Sequence, residues 1–281
     1  MERTGQGTRA LTQTGKWALL VIGCLVVLIP FWLLGISSLR QSTVLLEYPP
    51  RFWPERATLA NYIALFDPER YDFIAWFVNS VIVAGASTLG TVLVCSLAGY
   101  AFAKKSFPGK RVIFAVALGT MMIPSAVTLI PLFLIVKGLG LINTLTGIIV
   151  PSLGAAFGVF LMRQFISTLP SSLLESAQMD GCRELGVYAR IVVPMTTPAL
   201  AVLSIFTFMN QWNSLVFPLI IADSENKKML TVGIAGLKSM ASSPWGLMMA
   251  ASLLSFVPIL IVFLFMRERF VAGLTAGAVK G

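Results

Sequence analysis

A polar cluster, Glu175-Ser-Ala-Gln-Met-Asp-Gly181, stands between two apolar stretches and is followed after nine residues by Ile191-Val-Val-Pro194. Its carboxylates and amide suit charge pairing and hydrogen bonding to a partner at a membrane surface. The chain lacks the parts for bond-making chemistry. It has no His, which excludes imidazole acid–base work, Ser-His triads and His-based metal sites. Cys24, Cys95 and Cys182 supply neither a disulfide framework nor a Cys-x-x-Cys metal site. Pro108-Gly109-Lys110-Arg111 is a basic turn without the earlier Gly and the following hydroxyl of a phosphate-cradling loop. An intramembrane enzyme would need a positioned acid, base or nucleophile, and mid-span carboxylates are absent. If nucleotide energy drives this protein, another chain hydrolyses the nucleotide.

The apolar stretches offer neutral hydrogen-bonding groups instead: Asn210, Gln211, Asn213 and Ser214 around Trp212, then Thr120, Ser125 and Thr128 near Met121 and Met122, then Asn79, Ser80 and Tyr100. Amides and hydroxyls match the hydroxyls of a sugar, and aromatic faces stack on its C–H surfaces. The same groups also bond helix to helix in membrane bundles. Asn210, Gln211, Trp212 and Asn213 are taken as the candidate solute path, and the Ser and Thr residues as packing groups. The near absence of charge within the spans argues against a proton or ion pathway.

These residues must be positioned by membrane helices. With 57% hydrophobic and only 12% charged residues, and a mean hydropathy of +0.85, the chain is an all-α polytopic membrane protein. Six apolar runs cover about 17–36, 80–103, 112–136, 145–162, 199–221 and 247–266, each near the length that crosses about 30 Å of hydrocarbon. The first lacks a small-residue cleavage site and reads as a retained helix. Pro124, Pro131, Pro151, Pro218 and Pro258 are expected to kink their spans, and Gly154-Ala-Ala-Phe-Gly158 to permit close helix approach. Most of the 21 Lys and Arg residues fall on one side if the N-terminus is cytoplasmic, with Lys104 to Arg111 and Arg267 to Arg269 abutting span ends. The +9 charge therefore reports topology, and no aromatic-interleaved basic run points to nucleic acid.

Within the polar cluster, Ser172 and Glu175 have the spacing of a capping box. A short amphipathic helix should follow, with Leu173, Leu174 and Ala177 on one face and Gly181 as its left-handed stop. A second short helix from about Arg183 to Ile191 should lead to Pro194, which opens the next span. The external segment, about 40–77, is punctuated by Pro49-Pro50, Trp53-Pro54 and Asp67-Pro68. A helix between Thr58 and Phe66 places Leu59, Tyr62, Ile63 and Phe66 on one face. It either docks a partner or seals the bundle at the interface.

The 175–194 pattern resembles the EAA loop of ABC importer permeases, with Ser176 and Val193 departing from the usual Ala and Leu. Trp53-Pro54, Thr58, Asn61-Tyr62, Met122-Ile-Pro124, Pro131-Leu-Phe, Trp212-Asn213, Pro218 and the end Gly273-Leu-Thr-Ala-Gly-Ala-Val-Lys-Gly281 resemble the carbohydrate-uptake class, on the side of the smaller maltose-type subunit. The resemblance covers about 17–281. It implies a type I importer permease fold of six transmembrane helices: a cytoplasmic segment 1–16, a permease domain 17–266 containing the coupling loop at about 168–194, and a cytoplasmic tail 267–281. It also implies a prokaryotic plasma membrane location with both termini cytoplasmic. The expected partners are a second homologous permease in a heterodimer, two cytoplasmic ATP-binding subunits, an external solute-binding protein and membrane lipid. ATP and Mg would sit on the partner ATPase, with no cofactor on this chain. By the same resemblance Glu175, Ser176, Ala177, Asp180 and Gly181 form the coupling helix, and Thr275, Gly277, Lys280 and Gly281 contact the ATPase dimer. The implied function is ATP-driven, binding-protein-dependent import of a sugar or oligosaccharide. Alternatives are a permease for a polyol, a glycerol-phosphate-type solute, an amino acid or a peptide, and more distantly a secondary transporter or channel.

Overall fold

Every described element is helical. The computed structural model describes residues 3–40, 53, 56–238 and 245–278, with backbone alone at 3–12, 14, 266 and 268–278. In chain order the helices are α1 (Arg3–Ser38), α2 (Ala60–Leu65), α3 (Phe73–Lys104), α4 (Lys110–Thr120), α5 (Ser125–Gly138), α6 (Leu145–Ser152), α7 (Ala156–Ser167), α8 (Ser171–Met179), α9 (Glu184–Val187), α10 (Val193–Met195), α11 (Thr197–Trp212), α12 (Val216–Ile221), α13 (Leu230–Lys238) and α14 (Trp245–Ala278). Gly15–Ser38, Phe73–Lys104 and Trp245–Phe265 are long and apolar enough to cross a membrane unaided, and three bent pairs raise the total to as many as six. The expected number of spans is met if each bent pair counts as one. The pair α4 and α5 bends by 106° at the break before Pro124, α6 and α7 by 42°, and the run Glu184–Met195 meets α11 at 80°. Near Pro124 the freed groups are met locally, since Met121, Met122 and Ile123 donate to Leu118, Gly119 and Thr120 carbonyls. The expected span over 199–221 is also divided: α11 stops at Trp212, and α12 begins at Val216.

The chain separates into two compact units, one of residues 1–71 with 234–255 and one of residues 72–233 with 256–281. In the first, Asn61 donates to the carbonyls of Ser38 and Arg40, both at 2.7 Å, and Tyr62 shares a 2.7 Å hydrogen bond with Ser38. These bonds fix the rotation of α2. Leu65 turns inward, while Leu59, Ile63 and Phe66 are exposed, so the apolar face expected from sequence is not the buried one. Pro49, Pro50 and Pro54 lie outside the described residues.

The second unit is built on α3, a helix of 32 residues and so about 48 Å long at 1.5 Å per residue. It starts at Phe73, seven residues before the apolar run read from sequence at Ser80. Close approach between α3 and α7 is made through glycine. A Cβ on Gly99 would meet Met162 Cβ at 2.6 Å and the Arg163 nitrogen at 2.9 Å, and one on Gly158 would meet Cys95 Sγ at 2.7 Å. Gly154, the other half of the expected small-residue strip, has nothing within 4 Å.

At one end of α3, Trp76 Nε1 donates to the Glu225 carbonyl at 3.2 Å, and Asn79 Nδ2 donates to the carbonyls of Asn226 and Lys228, both at 3.0 Å. Ser80 Oγ accepts from the Leu230 amide at 2.8 Å. Asn79 and Ser80 are thus internal fasteners for the 225–230 turn. Thr120 and Thr128 hydroxyls donate to the carbonyls of Ala117 and Ser125 on their own helices.

Candidate functional site

The loop 168–194 lies at the other end of α3. Pro170 occupies the cap position of α8, whose first residue is Ser171, two residues upstream of the expected cap at Ser172. Ser172 is therefore already inside the first turn, and no capping box with Glu175 forms: the cap makes no side-chain hydrogen bond. Leu174 and Ala177 turn inward onto Met162, Ile166, Val187, Tyr188 and Val192. Leu173, expected on the same face, is exposed, because a residue one step along a helix is rotated by about 100°. Ser176 Oγ donates to the Ser172 carbonyl at 2.8 Å and stays on its own helix.

The stop is as expected. Gly181 has φ +80°, its amide donates to Gln178 O at 3.0 Å, and the Cys182 amide donates to Ala177 O at 3.0 Å. This pair of bonds is a Schellman turn, which satisfies carbonyls left open at the helix end. The chain then re-enters helix at Glu184, but the second segment is not plain α-helix. Tyr188–Val192 form a π-turn, with the Val193 amide donating to Tyr188 O. Pro194, which lacks an amide hydrogen, sits in α10 just beyond it, so the widened turn precedes the residue that cannot continue the ladder. Pro194 therefore does not open the next span. That junction is Thr196, whose hydroxyl donates to Val192 O at 2.8 Å.

Two consecutive lysines fasten the two halves of the loop to α3. Lys104 Nζ donates to Leu169 O at 2.5 Å and to Ser171 Oγ at 3.4 Å, at the entry to α8. Lys105 Nζ pairs with Glu184 Oε1 at 2.6 Å, at the entry to α9. Tyr100 donates its hydroxyl proton to the same carboxylate oxygen, and Gln178 Nε2 donates to Glu184 Oε2 at 3.3 Å. The Lys105 hydrogen bond, followed by that of Tyr100, holds the Glu184 carboxyl below the ordinary 4.5 against a smaller opposing effect of burial. Tyr100 is thereby a loop anchor, and its ring packs 5.7 Å from that of Tyr188, whose hydroxyl shares a 2.6 Å bond with Ser96. From sequence, Glu184, Lys104 and Lys105 count only as topology charges. The available signal is their position at the ends of two helices, α3 and α9, that converge.

The outward surface of the loop is the remainder. Glu175 and Asp180 are exposed and make no ion pair or hydrogen bond through their side chains with another described residue, while Met179 and Leu185 are 88% and 72% exposed. Two carboxylates beside two apolar knobs on a rigid, capped scaffold can seat in a groove that offers cations around an apolar floor.

The structure separates the candidate path residues. Trp212 is buried, stacked on Phe208 at 5.7 Å and edge-on to Phe77 at 5.8 Å, so its ring packs the core. Asn210 and Asn213 are exposed and Gln211 half-buried around the break after α11, with one amide hydrogen of Asn213 bonded to Met209 O at 2.9 Å. At the C-terminus, Thr275 and Gly277 lie on the helical backbone of α14, which runs to Ala278. Lys280 and Gly281 lie outside the described residues. Among the described residues no group of His, Cys, Asp and Glu could hold a metal ion.

Comparison with known proteins bears on this loop-and-span arrangement. Residues 73–275 match the family described as binding-protein-dependent transport system inner membrane component. The chain is similar to the arabinooligosaccharides transport system permease protein AraQ of Bacillus subtilis, 36% identical over 259 residues, with 92% of each chain covered. It is also similar to the trehalose/maltose transport system permease protein MalG of Thermococcus litoralis, 32% identical over 278 residues, covering 95% of this chain and 98% of that one. In structure it resembles a chain of a bacterial ABC transporter involved in the import of the acidic polysaccharide alginate. The TM-score is 0.76 at 22% identity, covering 96% of this chain and 99% of that one, a likeness of fold.

Proposed function

This chain belongs to the family of binding-protein-dependent transport system inner membrane components, and from that premise we propose that it forms half of the path of an ATP-driven importer of a sugar or oligosaccharide. It is a multi-pass membrane permease subunit and does no covalent chemistry. A second, related permease completes the path, an external binding protein delivers the solute, and two cytoplasmic subunits bind ATP and Mg and hydrolyse the nucleotide. Both termini lie in the cytoplasm, and the end of α14 reaches the ATPase subunits.

The observation that carries this reading is the loop. Gly181 turns the chain sharply, Lys104 and Lys105 tie both halves to α3, and Glu175, Met179, Asp180 and Leu185 remain free to meet a partner. Movement of the ATPase subunits is passed through this surface to α3 and the helices packed on it, so that the bundles rock between inward and outward openings. Asn210, Gln211 and Asn213 offer amides to solute hydroxyls at the break after α11, since interrupted helices expose backbone and side-chain polar groups where a cavity can use them. The names of the relatives, permeases of arabinooligosaccharide and trehalose/maltose systems, favour a carbohydrate over a polyol, glycerol-phosphate-type solute, amino acid or peptide.

The test is to tag the chain, purify the complex from its host and reconstitute it in liposomes with the binding protein that accompanies it. Uptake of a labelled oligosaccharide is expected to require both ATP and the binding protein. Uptake driven by an ion gradient without ATP would replace this reading with a secondary transporter.

A further inference from the structure

Next to the loop, the turn that joins α3 to α4 borders an open cavity of about 740 Å³. Phe102, Phe107 and Phe114 line it together with Lys110, Arg111 and Arg163, and no carboxylate lines it. The aromatic rings are packed on one another, with Phe102 5.6 Å from Phe107 and 5.3 Å from Phe114. The Arg163 guanidinium lies over Phe114 at 4.2 Å from the ring centre. Lys110 uses one ammonium hydrogen on the Lys105 carbonyl at 2.7 Å and keeps two. Arg111 is exposed and makes no side-chain bond to another described residue. Three cations thus converge without a counterion among the described residues. From the mouth of the cavity, α4 continues as an apolar flank, with Val112, Ile113 and Val116 all more than half exposed.

We propose that this cavity binds the phosphodiester headgroup of an anionic phospholipid. The charge of the phosphate is matched by Lys110, Arg111 and Arg163, and basic pockets between membrane helices on the cytoplasmic side suit such headgroups. The apolar flank of α4 favours a lipid over a soluble phosphate, because it gives the acyl chains a surface to follow. Only the choice of leaflet rests on the permease reading, and the test below reads lipid and not transport.

The detergent-purified complex is titrated with phosphatidylglycerol, with phosphatidylcholine as the neutral probe, and bound lipid is counted by native mass spectrometry. Phosphatidylglycerol is expected to be retained in preference to phosphatidylcholine. Arg111→Gln should weaken its binding by about fivefold, and Arg111→Gln with Arg163→Gln by about twentyfold, given the contribution of each cation near a lipid surface. Lys227→Gln removes a cation from the 225–230 turn at the other end of α3 and should leave binding within about twofold. Equal binding by wild type and Arg111→Gln, or an equal loss in Lys227→Gln, would overturn the proposal. So would displacement of the lipid by excess inorganic phosphate, which would assign the cavity to a soluble anion. Because Arg111 is exposed, its single substitution keeps the test decisive should the Arg163 variant fail to fold.

Discussion

Three side chains, Tyr100, Lys105 and Gln178, converge on Glu184, and the ion pair with Lys105 is half exposed. A carboxyl held below its ordinary 4.5 stabilises the folded loop above that pH. The contribution is lost as pH falls through the lower folded value. Glu184→Gln should therefore flatten the pH dependence of thermal unfolding below that point, and at neutral pH cost less than about 1 kcal/mol, because exposed pairs are screened by solvent. Unfolding curves of the solubilised wild type and variant on an acid series check this, and an unchanged slope would mean that Glu184 does not anchor the loop. Gly181 makes a second case. Nothing lies within 4 Å of a Cβ added there, so the cost of a side chain is in the backbone alone. Gly181→Val should cost about 1–3 kcal/mol of local strain and uncouple ATP hydrolysis from the loaded binding protein. Gly181→Asn should retain most coupling, because Asn tolerates the left-handed region. ATPase stimulation of the two variants in nanodiscs is the measurement, and equal stimulation in both would show that the turn is not needed.

Helix contacts give the next predictions. Gly99→Val should force α3 and α7 apart, since the new atoms would overlap Met162 and the backbone of Arg163, and lower stability by about 1–3 kcal/mol. Gly154→Val, with open space around it, should leave the melting temperature nearly unchanged, and thermal scans of both variants compare them. At the end of α11, Asn210→Ala should slow uptake without altering assembly with the ATPase. Reduced assembly with unchanged transport per surviving complex would make Asn210 a packing residue. The contrast between Gly99 and Gly154 also marks what a sequence can reveal. The spans are legible because an apolar run of about 20 residues matches the thickness of a bilayer and would aggregate in water, and the Gly181 stop because positive φ selects Gly. The 106° and 80° bends are not, since proline says that a helix can break but the packed neighbours set the angle. Asn79 cannot be told from a path-lining amide, because its partners are carbonyls 147 and 149 residues away. Trp212, expected to line the path, packs between Phe77 and Phe208, a contact that no local pattern announces.

For the chain as a whole, α1 is the helix that turns its apolar surface outward: within Gly15–Ser38 only Ile36 and Ser38 are buried in the protein, as expected for a surface covered by lipid or by other membrane helices. The three native cysteines report on this arrangement without mutation. Cys24 lies exposed on the apolar α1, Cys95 is buried, and Cys182 is part-exposed in the loop. A membrane-impermeant thiol reagent should label Cys182 alone, because a charged reagent reaches neither a thiol in hydrocarbon nor one in the core. It should do so in inside-out vesicles and not in intact cells, and labelling from outside would invert the topology. One further consequence concerns α3, which is hydrogen-bonded near both ends, to the 225–230 turn through Trp76 and Asn79 and to the loop through Lys104 and Lys105. A rod fastened in this way has no preferred direction of signal. If an event at one end changes the affinity of a ligand at the other by some factor, thermodynamic linkage requires the reverse effect to be equal. If docking on the 175–185 surface depends on what engages the 225–230 turn, the turn must respond to that docking by the same factor, and an affinity measured at either end is then a property of both.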